Sequence, residues 1–99
     1  MVKTLKKVRW DKIATDSFSA AINYIRRDSI KNAEKVRKDL LVKIHGLKEQ
    51  PEKYPLDKFK KINTGIFRAF ELHHYRVSYT IKDKEIVITG MRHTSMQPL

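Results

Sequence analysis

Ile66-Phe67-Arg68-Ala69-Phe70-Glu71-Leu72, Tyr75-Arg76-Val77-Ser78-Tyr79-Thr80-Ile81 and Glu85-Ile86-Val87-Ile88-Thr89-Gly90-Met91 follow one another with only two polar breaks between them. Each run is short and rich in β-branched and aromatic residues, and each break is a turn-sized polar pair. Three consecutive strands in a meander are the expectation, with the last hairpin turning at Asp83-Lys84. Arg92-His93-Thr94-Ser95-Met96 then emerges where the third strand ends. On the middle strand Tyr75, Val77, Tyr79 and Ile81 share one face, while Arg76, Ser78 and Thr80 share the other.

Upstream, the pattern changes from a period of two to one of three and four. Ile13, Phe18, Ala21, Ile22 and Ile25 read as the apolar stripe of one helix. Ala33, Val36, Leu40, Ile44 and Leu47 read as the stripe of a second. Ser29 is placed as the N-cap of that second helix, and Gly46, Pro51 and Pro55 close it. So short a break predicts an antiparallel helix hairpin. Val2 to Trp10 reads as a first strand, with Val8 and Trp10 on one face. Residues 48–65 form a long basic connection carrying Lys53, Lys58, Lys60 and Lys61, with Tyr54 and Phe59 as anchors. It reads equally as a covering loop or as a functional one. The fold class is α+β, in the order β-α-α-β-β-β, with the hairpin on one face of a small, mostly antiparallel sheet. The whole chain, residues 1–99, reads as one domain.

Composition narrows the function. Twenty-two Lys and Arg against 11 Asp and Glu leave a net charge of +11, which favours an anionic partner. The excess is spread over residues 1–12 and 26–43 rather than concentrated in a tail, so it belongs to folded surfaces. There is no cysteine, which excludes disulfides, thiolate metal sites and cysteine nucleophiles. No apolar run is long enough for a membrane span, no signal-peptide core follows the basic start, and the expected location is the cytoplasm. Three glycines offer no phosphate-cradling loop. His73-His74 is a poor metal pair, since adjacent strand residues point apart, and neither a metal nor a cofactor is expected.

The remaining chemistry is cationic. Arg76, Arg92 and His93, converging on the open face, would suit a phosphodiester: guanidinium holds phosphate bidentately and imidazole moves protons near neutrality. The plainer reading pairs Arg76 with Glu71 or Glu85 across the sheet and leaves His93 capping loose backbone. Arg68 shares a face with Ile66, Phe70 and Leu72, which places it at a core edge or strand end.

Taken in order, Trp10-Asp11-Lys12-Ile13-Ala14, Ile22-Asn23-Tyr24-Ile25, Asn32-Ala33-Glu34-Lys35-Val36, Leu47-Lys48-Glu49-Gln50-Pro51, Phe67-Arg68-Ala69-Phe70-Glu71, Tyr75-Arg76-Val77-Ser78-Tyr79 and Met91-Arg92-His93-Thr94-Ser95-Met96 resemble the RelE/ParE superfamily of type II toxin–antitoxin toxins. The resemblance covers nearly the whole chain and implies the same β-α-α-β-β-β fold. It implies a growth inhibitor neutralised by a cognate acidic antitoxin, as in plasmid stabilization systems. Direct DNA binding is not implied without that antitoxin. ParE-like members act on DNA gyrase; RelE-like members cut messenger RNA on the ribosome. Arg76 and Arg92 match RelE arginines, and with His93 they would form the catalytic set of a ribosome-dependent endoribonuclease. Arg68, His73, His74, Lys58, Lys60 and Lys61 would then contact the target or RNA. The paired lysines of RelE are missing, with Phe67 and Ala69 near their places, and its C-terminal tyrosine has no counterpart. His93 to Met96 is similar to the C-terminal His-x-x-Met of ParE-like toxins. The balance favours gyrase inhibition; RNA cleavage and a non-toxic basic RNA- or protein-binding module are the alternatives.

Overall fold

The structure is a computed structural model that describes residues 6–56 and 65–95. Residues 2–5 of the expected first strand, the basic positions Lys58, Lys60 and Lys61, the anchor Phe59, and Met96 lie outside them. The elements run β1 (Lys7–Trp10), α1 (Lys12–Asp28), α2 (Ile30–His45), a 3₁₀ turn (Gly46–Lys48), β2 (Phe67–Leu72), β3 (Tyr75–Ile81) and β4 (Glu85–His93). The sheet order is β1-β4-β3-β2. The two hairpin pairings are antiparallel, whereas β1 lies parallel to β4, from Lys7 opposite Glu85 to Trp10 opposite Ile88. A parallel neighbour needs a long crossover, and here the helix hairpin together with β2 and β3 supplies it.

The helix hairpin turns on one residue. The Ser29 N–H donates to the Ile25 carbonyl and closes α1, while its Oγ accepts from the Asn32 N–H at 3.0 Å and opens α2. The second stripe holds as expected, with Ala33, Val36, Leu40, Ile44 and Leu47 all buried. The first holds at Phe18, Ala21, Ile22 and Ile25 and departs at its start, where Ala14 is fully buried and Ile13 is 72% exposed. A small residue at Ala14 lets the helix approach the sheet, and Trp10 meets Phe18 edge-on at 5.3 Å. Gly46 keeps right-handed backbone angles and continues α2 into the 3₁₀ turn instead of ending it in the left-handed region.

The core is the helix-facing side of the sheet: Phe70, Tyr75, Val77, Tyr79, Ile86, Ile88 and Met91 packed against the two helices. Fully burying a side chain of this size is worth roughly 1.5–3 kcal/mol. One irregularity reorganises the last strand. Tyr79 pairs with Ile88 and Ser78 with Gly90, so Thr89 is left over as a bulge. Without it, Ile86, Ile88 and Met91 could not share a face, because an odd spacing flips the side chain.

An arginine pair, a histidine turn and a groove

The bulge decides which side chains meet. After it, Arg92 lies opposite Arg76 and His93 opposite Tyr75 in the β3–β4 register. Directly opposed residues share a face, so Arg76 and Arg92 stand together on the side away from the helices. Glu71 is the next residue along that row, opposite Arg76 on β2. His93 stands on the other side: its ring meets Tyr75 edge-on at 5.2 Å, and Tyr75 belongs to the helix-facing core. The two arginines are therefore brought together, and the histidine is placed on the opposite face of the sheet. Glu85 is engaged by Arg9, at 3.2 Å, which holds its carboxyl below the ordinary range through that hydrogen bond.

The His93 ring is held in a defined way. Its Nδ1 accepts from the Ser95 N–H at 3.2 Å and lies 2.8 Å from Ser95 Oγ. An accepting Nδ1 puts the proton of the neutral ring on Nε2. His74 stacks on this ring with centroids 6.2 Å apart, and the His74 carbonyl accepts from the Thr94 N–H at 2.8 Å.

His73 and His74 are the two central residues of the β2–β3 hairpin, and both have positive φ, 53° and 67°. Two-residue loops of this kind favour Asn-Gly because most side chains are strained there, although histidine tolerates the region better than most. His73 is anchored: its Nε2 lies 2.7 Å from Asp39 Oδ2 on α2, and Lys35 Nζ reaches the same oxygen at 3.1 Å. These two hydrogen bonds, that of His73 first, hold the Asp39 carboxyl below its ordinary range.

Arg68 clasps the incoming loop. Its guanidinium donates to the carbonyls of Tyr54 (2.8 Å), Glu52 (3.1 Å) and Gly65 (3.1 Å). The Tyr79 hydroxyl donates to the Pro51 carbonyl at 2.7 Å, and Tyr54 packs on Phe70 with centroids 5.1 Å apart. Burial pushes the Tyr79 phenol up to about 12.

Between the helix hairpin and the histidine turn lies an open groove of about 290 Å³, bounded by Tyr24, Asp28, Asn32, Tyr75, His74 and His93. Burial, and then the nearby Tyr24, raises the Tyr75 phenol above its ordinary value. Sequence reasoning missed Asp39, Tyr24 and Ser95. Only the two-residue spacing of His73-His74 between strands pointed toward the turn geometry. Among the described residues no group of three or more His, Asp or Glu side chains could hold a metal ion. None of the described helices is long and apolar enough to cross a membrane.

Solved structures share the architecture. A chain of the chromosomal ParDE system from P. aeruginosa superposes with a TM-score of 0.72 at 16% identity, over 92% of this chain and 98% of that one. The YoeB dimer from Staphylococcus aureus gives 0.58 at 15% identity, over 89% and 95%. At such identities these likenesses speak for the fold. A search of curated proteins returns no match. The sequence itself matches the family model "ParE toxin of type II toxin-antitoxin system, parDE" over residues 8–98, and the chain belongs to that family.

Proposed function

We propose that this ParE-type toxin inhibits growth by binding DNA gyrase, that a cognate antitoxin neutralises it in the cytoplasm, and that it does not cut RNA. The observation that carries the reading is the division of the candidate catalytic set by the sheet. Arg76 and Arg92 face one way, and His93 faces the helices with Tyr75. Cleavage by general acid–base catalysis requires the imidazole within hydrogen-bond reach of the phosphodiester that the arginines hold. The Ser95 contacts add to this: neutral His93 offers an N–H rather than a lone pair at its other nitrogen, which suits a binding contact better than a general base. The antitoxin follows from family membership and from charge, because a surface of +11 calls for an acidic partner. The structurally similar P. aeruginosa protein was solved as part of a ParDE system.

A direct test is DNA supercoiling by purified gyrase in the presence of the toxin, beside ribosome-bound messenger RNA in a parallel reaction. The expected outcome is loss of supercoiling with the message intact, in wild type and in Arg76→Ala/Arg92→Ala alike. Cut message that disappears in the double variant would establish the RelE-like alternative. Neither effect, together with unimpaired growth on induction, would leave the non-toxic basic module.

A further inference from the structure

We propose that the groove between the helix hairpin and the His73-His74 turn is a receptor for one aromatic side chain with a ring N–H or O–H, carried on an acidic segment of a protein partner. This rests on the reading above that the chain works by holding proteins. The walls are aromatic: Tyr24 of α1, 64% exposed, faces the stacked imidazoles of His74 and His93 across the opening. Its floor is apolar, made of Ile25, Val36 and the Tyr75 ring. Flat rings bury much area in such a slot at little entropic loss, which is why aromatic residues anchor interfaces. Asp28 and Asn32 supply acceptors at one edge, where a ring N–H or O–H would need one.

The surrounding charge selects the segment that carries the ring. Arg27 packs over Tyr24 at 5.9 Å, and the chain as a whole is strongly basic. A nucleotide is the less favoured occupant. The Asp28 carboxylate borders the groove, while Arg76 and Arg92, the natural phosphate holders, lie on the far face of the sheet. The turn adds a separate observation. One rim imidazole, His74, hangs with its neighbour His73 from a turn at positive φ, a conformation Asn-Gly would adopt without strain, and strained turns cluster where ligands are held.

The test is an NMR titration of the full chain with N-acetyltryptophanamide. Saturable shifts at His74, Tyr75 and His93 are expected, weakened at least fivefold in Tyr24→Ala. Ile13→Ala, on the same helix but outside the groove, should bind as wild type does. Thermal unfolding of both variants controls for the fold. No saturable shift, or equal weakening in both variants, would overturn the proposal. So would tighter binding of guanosine monophosphate at the same resonances, which would assign the groove to a nucleotide. Supercoiling inhibition is read separately. A toxin that binds the probe yet cuts RNA contradicts only the gyrase reading, and one that blocks supercoiling without binding the probe contradicts only this one.

Discussion

Three residues do more than their sequence positions announce. Arg68 was a candidate for target contact, and the structure gives its guanidinium three backbone carbonyls of the incoming loop. Its replacement by Ala leaves those carbonyls without their charged donor. The expected loss is about 2–3 kcal/mol in urea unfolding, with Lys restoring only part of it because it lacks the fork geometry. A loss below about 0.5 kcal/mol would remove the clasp from the account. Tyr79 is buried and its phenol titrates near 12, above its unfolded value of 10.0. A raised pKa means the folded state binds the proton more tightly, so the stabilisation is complete below pH 10.0 and is lost as pH rises toward 12. Tyr79→Phe should be less stable at neutral pH, having lost the bond to Pro51, and should lack that alkaline decline. Asp39 works in the opposite sense. Its depressed carboxyl contributes stability above the ordinary carboxylate range, and that contribution disappears as pH falls through its folded value. Asp39→Asn should flatten the acid limb of the unfolding curve and speed amide exchange at Thr94, whose N–H is bonded to the turn. None of these partners could be read from the sequence, because Asp39 and His73 are 34 residues apart and the link exists only once α2 packs on the turn.

Elements were legible where one periodicity ruled and illegible where it broke. The stripe of α2, the Ser29 cap and the three meander strands stand where the apolar spacing puts them. Ser29→Ala should cost about 1 kcal/mol, measured by thermal unfolding, since it removes the Oγ that accepts from the Asn32 N–H at the start of α2. Ile13 was assigned to the buried stripe of α1 by its spacing; the inward face that carries Phe18, Ala21, Ile22 and Ile25 begins at Ala14 in its stead. On β4 strict alternation fails at Thr89, and that single bulge sends Arg92 to the open face and His93 to the helices. Sequence reading grouped Arg76, Arg92 and His93 because alternation turns Arg76 to the open face and the other two emerge where the last strand ends. Alternation alone sets Arg92 and His93 on opposite faces, but a bulge has no reliable local code, so periodicity could not say which of the two joins Arg76. The turn offers the clearest test at this scale. Replacing His73-His74 by Asn-Gly should raise the melting temperature by relieving two positive-φ side chains, even though the Asp39 contact is lost. A lower melting temperature would mean that the Asp39–His73 bond outweighs the backbone strain.

Across the whole molecule, charge and shape divide the labour. Two helices cover one face of a four-stranded sheet and leave the other to the row Glu71, Arg76 and Arg92. With a net charge of +11, association with an acidic antitoxin should be fast and should slow markedly between low and physiological salt, as measured by stopped-flow mixing. A salt-insensitive rate would mean apolar contacts alone drive the encounter. Fold and family were thus legible from the order of patterns along the chain. The action was not, because it depends on which face each cation takes. The central claim is that these faces make a binding protein rather than a nuclease, and pulse labelling after induction in a bacterial host tests it most directly. The account predicts an early fall in thymidine incorporation with amino-acid incorporation initially unchanged, and the same order of events in Arg76→Ala/Arg92→Ala. An early collapse of amino-acid incorporation with cut messages, abolished in Arg76→Ala, Arg92→Ala or His93→Ala, would contradict it.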